Sequence, residues 1–386
     1  MRSGNSNKIT KEQEQALKTV AKGAGIAFIG LLIGRFFGYL TRVVIARSIG
    51  PSSYGILSLG LGIINIFAIF SLLGLSGGLD RTIAFYLGRK KLEKVKGAII
   101  SSFKISLPIS IFFSLLLIYF SYNISVAFSK PLLNQVLKIL SLSIPFFTTL
   151  LLSQSIFLGH KLVKYKVYTR DIGRNLTTLL LSIILIYFFG LGILGASLSF
   201  LLGFVFSGIL SIIIINKKIF PKLKGVSPQD LEKELLTFSI PLFFSGLVLL
   251  VLQWTDVLML GYFRTSSEIG IYKAALDTGV LLTIFLSSFN FIFLPIISEF
   301  FSHNKLADIR KLYSTITRWM VSLTFPLFII FALFPDNILK LLFGPSFVGG
   351  SNVLLIISLA YFLAVLMGPT DQTILSIGKT RVIFYL

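Results

Sequence analysis

Residues 25–46 read GIAFIGLLIGRFFGYLTRVVIA. About 20 mostly apolar residues, at 1.5 Å each along a helix, cross the hydrocarbon core of a bilayer. The stretch therefore predicts a transmembrane helix. It also carries two arginines, Arg35 near its middle and Arg42 two turns further along almost the same face. An arginine inside a span costs about 2.5–3.5 kcal/mol on insertion scales, so each needs a reason to be there. Gly30, Gly34 and Gly38 form a stripe of small residues beside that face. Such a stripe lets another helix approach closely, which would turn the arginines toward an internal cavity instead of lipid.

Comparable apolar runs fill the rest of the chain, at 54–75, 98–120, 136–158, 172–189, 191–215, 238–262, 274–296, 315–334 and 352–375. The fold class is all-α: a polytopic membrane helix bundle of about ten transmembrane helices. Composition agrees. The 386 residues are 55% hydrophobic and only 13% charged, with a mean hydropathy of +0.89. An ordinary soluble domain cannot bury that much apolar surface.

There is no cysteine, hence no disulfide and no thiolate metal site. His160 and His303 lie too far apart to suggest a metal centre, and no cofactor is indicated. Gly378-Lys379-Thr380 resembles the end of an ATP-binding loop, but Thr373 stands where its first glycine belongs. A net charge of +21 would suggest nucleic acid in a soluble protein. Here the basic residues sit in short connectors, where they face anionic lipid, so membrane lipids and not nucleic acid are the expected partner.

Those connectors alternate. Arg89, Lys90, Lys91, Lys94 and Lys96 follow the second span, and Lys161, Lys164, Lys166, Arg170 and Arg174 follow the fourth. Lys217, Lys218, Lys222, Lys224 and Lys233 follow the sixth, and Lys305, Arg310 and Lys311 the eighth. The other connectors hold about one basic residue each, such as Arg47, Lys130, Arg264 and Lys340. The pattern predicts a multi-pass cell-membrane protein with both termini in the cytoplasm. The polar N-terminus, with Lys8, Lys11, Lys18 and Lys22, is no secretory signal.

The chain also repeats itself. Thr41-Arg42-Val43 aligns with Thr255-Asp256-Val257, Lys91-Leu92 with Lys305-Leu306 and Pro131 with Pro345, all at an offset of about 214. Ser52-Ser53-Tyr54-Gly55-Ile56 resembles Ser266 to Ile271 with one insertion. The implied organisation is a cytoplasmic segment 1–22, a first six-helix repeat 23–216, a linker 217–235 and a second repeat 236–386. An even number of helices makes the repeats parallel, a transporter architecture with a cavity between the halves. The second repeat holds four helices where the first has six. A truncated chain or one piece of a split protein is therefore expected, with a second chain supplying the missing helices.

The segment Arg47-Ser-Ile-Gly-Pro-Ser-Ser-Tyr-Gly-Ile resembles polysaccharide flippases of the multidrug/oligosaccharidyl-lipid/polysaccharide (MOP) exporter superfamily. So do Phe238-Ser-Ile-Pro-Leu-Phe, Gln253-Trp254-Thr255-Asp256, Gly261-Tyr262-Phe263 and Ile269 to Ala275. Nearly the whole chain takes part. The resemblance implies a transporter, not an enzyme. It would flip a lipid-diphosphate-linked oligosaccharide from the cytoplasmic to the outer leaflet, for cell-surface polysaccharide or glycan synthesis. The lipid-linked oligosaccharide and glycosyltransferases of the same pathway are the implied partners.

A guanidinium grips phosphate through two parallel hydrogen bonds, so Arg35 and Arg42 are candidate substrate contacts. The competing readings are a structural ion pair and, for Arg42, snorkelling to the interface. Gln154, Gln253 and Asn290 would hydrogen-bond sugar hydroxyls, or join neighbouring helices. Asp256 occupies the repeat position of Arg42, so the two are expected to pair as a gate; the competing reading is that Asp256 caps or pairs locally, for example with Lys273. Asp277 is a candidate gate or coupling-ion residue, or a structural partner. Pro108, Pro145, Pro241, Pro326 and Pro369 each predict a kink. The rival functions are a drug/cation antiporter of the same superfamily, a membrane glycosyltransferase or polymerase, and an inactive fragment.

Overall fold

A computed structural model describes residues 11–302 and 305–376. His303 and the Gly378-Lys379-Thr380 segment lie outside the described residues, as does the side chain of Asn290. Every regular element among the described residues is helical. Lipid offers no partner for backbone N–H and C=O groups, and a helix satisfies them within itself.

The chain opens with α1, Lys11–Leu72. Its apolar stretch Phe28–Leu72 is 45 residues, about 68 Å of helix against a hydrocarbon core of about 30 Å. One span cannot absorb that length, and α1 is broken at Gly50, where φ is 76° and ψ 171°. Only glycine takes that conformation without strain, and Pro51 restarts the helix with the fixed φ it prefers. The break gives the two spans read at 25–46 and 54–75.

The remaining elements are α2 (Leu75–Gly88), α3 (Leu92–Ala127), α4 (Pro131–Ser141) and α5 (Ile144–Gly159), then α6 (Val163–Phe188) and α7 (Gly192–Lys218). After the linker come α8 (Glu232–Phe263), α9 (Ser266–Gly279), α10 (Thr283–Ser302), α11 (Leu306–Leu333), α12 (Pro335–Leu342), α13 (Ser351–Leu366) and α14 (Thr370–Ser376). Among the described residues, eight helices are long and apolar enough to span, or nine counting α4 and α5 as one span bent by 49°. Dividing α1 at Gly50 makes about ten. The bend between α4 and α5 falls at Pro145, in the first turn of α5. Pro369 follows the break at Gly368 between α13 and α14. Pro108, Pro241 and Pro326 are carried inside continuous helices. Helix α2 has no counterpart among the spans read from the sequence. At 14 residues it is too short to stand out as one.

Segments before and after the linker share one core. Ile45, Leu57, Leu137 and Leu150 cluster with Ala274, Phe343, Phe347 and Leu354. Helices α1 and α9 cross in close contact on two glycines. A Cβ at Gly55 would lie 2.0 Å from the Ser266 carbonyl oxygen, and one at Gly270 1.9 Å from that of Pro51. Each helix thus seats its backbone on the other's glycine. Beside it, Lys130 is buried. Its Nζ donates to the carbonyls of Gly261 (2.6 Å) and Arg264 (3.0 Å), capping the C-terminal end of α8. Arg47 Nη1 donates likewise to Leu341 O (2.8 Å) at the end of α12.

Gly55→Leu should lower the melting temperature of the detergent-purified protein strongly. The new side chain meets backbone that cannot rotate away, and overpacking of this kind costs about 1–3 kcal/mol or more. Gly246→Leu, at a helical position with nothing within 4 Å, should leave melting nearly unchanged.

Candidate functional site

The glycine stripe of α1 admits α6. Cβ atoms at Gly30, Gly34 and Gly38 would lie 2.2 Å from Val167, 2.7 Å from Asp171 and 3.3 Å from Asn175. These three partners recur every four residues, so the two helices run in register over two turns. In that stretch α6 is wound as a π-helix, Val167–Arg174. The wider turn is uncommon and concentrates at functional sites. It carries Arg170, Asp171 and Arg174 toward α1.

A cavity of about 320 Å³ results, lined by α1, α6, Phe200 of α7 and the C-terminal end of α9. Four arginines line it, Arg35, Arg42, Arg170 and Arg174, against two carboxylates, Asp171 and Asp277. Its formal charge is positive, four guanidiniums against two carboxylates. A second cavity of about 220 Å³, with Phe28, Leu158, Val163 and Val167 in its wall, shares Leu31, Arg170 and Asp171 with the first. Lys166, Ser287 and Ser288 complete its wall, so a compartment of mixed apolar and polar lining adjoins the cationic one.

The side chains are held individually. Arg35 Nη2 donates to Ser287 Oγ of α10 (2.9 Å), while its Nη1 is buried without a partner among the described residues. Arg42 Nη1 meets Asp277 Oδ1 at 2.5 Å. The same oxygen takes Lys273 Nζ at 3.1 Å, and Oδ2 accepts from Tyr54 Oη at 2.7 Å. Arg174 Nη2 donates to Asn175 Oδ1 (2.8 Å) and its guanidinium lies over the Phe204 ring. Asn175 in turn donates to the carbonyls of Gly34 (2.8 Å) and Asp171 (2.9 Å), tying the arginine to both helices.

Of the residues singled out from the sequence, Arg35, Arg42 and Asp277 line one cavity. Gln154 does not line it. Its Nε2 donates to Thr169 Oγ1 (3.0 Å) behind the π-helical turn. Gln253 is exposed on α8, away from the cavity. Asp256 is held locally in this structure, the alternative to the expected gate. It accepts from Tyr272 Oη (2.6 Å) and the Val257 amide, not from Arg42. A partner within α9 satisfies it locally, and Asp277 on that helix takes Arg42 instead. Sequence reasoning missed Arg170, Asp171 and Arg174. Arg170 and Arg174 read as connector charge because they continue the basic cluster that starts at Lys161, at the very edge of the apolar run 172–189. The available signal was their i, i+4 spacing, which puts both arginines on one face if the helix extends upstream.

The sequence profile of polysaccharide biosynthesis proteins matches residues 20–301, well over half of the chain. The chain belongs to that family. The MatE profile matches residues 241–386. An uncharacterized membrane protein of Methanocaldococcus jannaschii is 24% identical over 352 residues, 87% of this chain and 69% of that protein. The probable low-salt glycan biosynthesis flippase Agl15 of Haloferax volcanii is 28% identical over 106 residues, 28% of this chain and 22% of that protein. An inward-facing multidrug resistance MATE family transporter of the MOP superfamily superposes with a TM-score of 0.75 at 15% identity, over 91% of this chain and 84% of that one. The MATE multidrug transporter DinF-BH gives 0.67 at 15% identity, over 99% and 87%. At that identity the likeness is one of fold. This member of the polysaccharide biosynthesis family is a multi-pass membrane protein with a MATE-like fold.

Gly34→Ala should separate α1 from α6 and lower the melting temperature, because the methyl meets the Asp171 carbonyl at 2.9 Å. Gly30→Ala has its nearest contacts with the Val167 side chain, the two methyls closest, so Val167→Ala should restore part of its loss. Melting curves of the three variants and the double mutant check both expectations.

Proposed function

We propose that this protein flips a lipid-diphosphate-linked oligosaccharide from the cytoplasmic to the outer leaflet by alternating access, during synthesis of a cell-surface polysaccharide or glycan. The observation that carries the reading is the cavity with four arginines and two aspartates inside the helix bundle. Arginine in the membrane is costly, and four around one cavity are retained where a fixed anion is to be held. A diphosphate supplies that anion and matches the guanidinium fork. The apolar side of the adjoining compartment, Phe28, Leu31, Leu158, Val163 and Val167, suits the first units of a lipid tail. The Haloferax relative, named as a probable glycan biosynthesis flippase, points the same way.

On this reading residues 23–216 and 236–386 are the two bodies that rock about the cavity, with both termini in the cytoplasm. Glycosyltransferases of the same pathway load the cargo. A drug/cation antiporter is the nearest alternative, since solved neighbours of the same fold are multidrug transporters. The positive excess of the cavity opposes a cationic cargo.

In proteoliposomes the protein should move a fluorescent lipid-diphosphate sugar between leaflets. Arg35→Ala and Arg174→Ala should each slow it by roughly tenfold or more, since a lost charge contact in a buried site costs about 2–5 kcal/mol. Arg35→Lys should recover part of the rate, keeping charge without the fork. Export of a cationic dye with no movement of the diphosphate lipid would overturn the reading.

A further inference from the structure

The Arg42–Asp277 bridge joins α1 to α9, and so the segments before and after the linker. Asp277 is the more deeply placed partner: its side chain is 2% exposed, and that of Arg42 48%. Its carboxylate holds two cations, Arg42 and Lys273. One of them is in excess of its charge. Lys273 lies on the same helix, one turn before Asp277, and its side chain is 16% exposed. Tyr54 donates to the other carboxylate oxygen. Arg42 is therefore the one cation of the group that a ligand in the cavity can reach, and it is bound to Asp277 through Nη1 alone.

Removing one partner of a buried ion pair is costly when it strands the other. Here it strands nothing. With Arg42 gone, Asp277 keeps Lys273 and Tyr54. A phosphate group, with more charge and a bidentate geometry, competes well for a guanidinium held by a single bond. A second donor waits on the same helix face, because Arg35 Nη1 has no partner among the described residues.

We infer that Asp277 is a displaceable counter-anion, which holds Arg42 until a phosphate of the cargo takes it over, with Lys273 the resident charge that lets Asp277 give Arg42 up. The exchange turns cargo binding into release of a contact between the two parts of the chain. The inference rests on the flippase reading of the cavity.

The test is binding of a short-chain prenyl diphosphate to the detergent-purified full chain, measured by microscale thermophoresis, with inorganic diphosphate as a second probe. Asp277→Asn removes the competitor and should tighten binding of the prenyl probe roughly tenfold. Lys273→Met should weaken it, because Asp277 then cannot surrender Arg42. In the Asp277→Asn background the Lys273 change should have no effect. Opposite signs in two variants are not what misfolding produces. The chain has no cysteine, so spin labels at Val126→Cys and Phe334→Cys, both exposed positions, report the distance between the two parts. The probe should shift that distance in the native background, and Asp277→Asn should shift it without probe. Unchanged or weaker binding by Asp277→Asn, in a protein that still binds the probe through Arg35, overturns the displacement idea alone. No binding of the prenyl probe by the native chain overturns the flippase reading beneath it. Equal competition by inorganic diphosphate assigns the exchange to the phosphate alone, and weaker competition assigns part of it to the lipid; Asp277 is displaced in both.

Discussion

A guanidinium at membrane depth has to be turned away from lipid and given partners, and helix α1 has two of them. Its glycines at 30, 34 and 38 let α6 come within van der Waals contact, which closes a wall over the arginine face. That solution creates a further difficulty, because the face of α6 that fits against the glycines brings Arg170 and Arg174 with it. Asp171 and Asp277 neutralise only part of the charge. The packing that hides the first two arginines from lipid is therefore also what concentrates positive charge in a cavity. Fold and site are one construction here, and a methyl group at Gly34 would disturb both.

The contacts across the linker are of two kinds. At the α1–α9 crossing they are backbone against backbone, on Gly55 and Gly270. Around it, Lys130 and Arg47 donate to carbonyls at the C-terminal ends of α8 and α12, where the helix dipole favours a cation. At the linker end of α8, side chains make the bridge, Lys104 to Glu232 at 2.6 Å and Tyr86 to Glu234 at 2.5 Å. Tyr54 ties the polar and the close-packed contacts together. It neighbours Gly55 in α1, and its hydroxyl binds Asp277. A change at the Asp277 carboxylate is thus felt one residue from the glycine crossing.

Hydropathy made the spans legible, because a bilayer imposes length and apolarity on each helix independently of its neighbours. The glycine stripe and Arg35 were legible for a related reason: a charge or a small-residue row in a span conflicts with lipid and demands a partner. What the pattern could not supply was which helix answers. Arg170 and Arg174 looked like connector charge, since the positive-inside rule reads basic clusters as loop and cannot tell that α6 begins at Val163. Helix α2 escaped because 14 residues make neither a span nor a loop. Gln154 and Gln253 are equally polar by sequence, yet one braces Thr169 and the other faces outward. Side-chain direction is decided by packing, and composition does not carry it.

The internal repeat bears on mechanism at one point. It set Asp256 opposite Arg42, as a symmetric pair of halves would. The structure pairs Arg42 with Asp277, on the next helix, and leaves Asp256 with Tyr272. The charge is not symmetric either. All four arginines of the cavity precede the linker, and the part beyond the linker contributes Asp277, Val280 and Leu281. An anion gripped by those arginines would travel with the first part of the chain. The second part meets the same site through one carboxylate and, at Arg35, the Ser287 hydroxyl, so on the flippase reading its share of an access cycle would be to let go and take hold again. A pair of matching charged halves would have to release the cargo from both sides at once; a site built on one side needs only the lighter contact to yield.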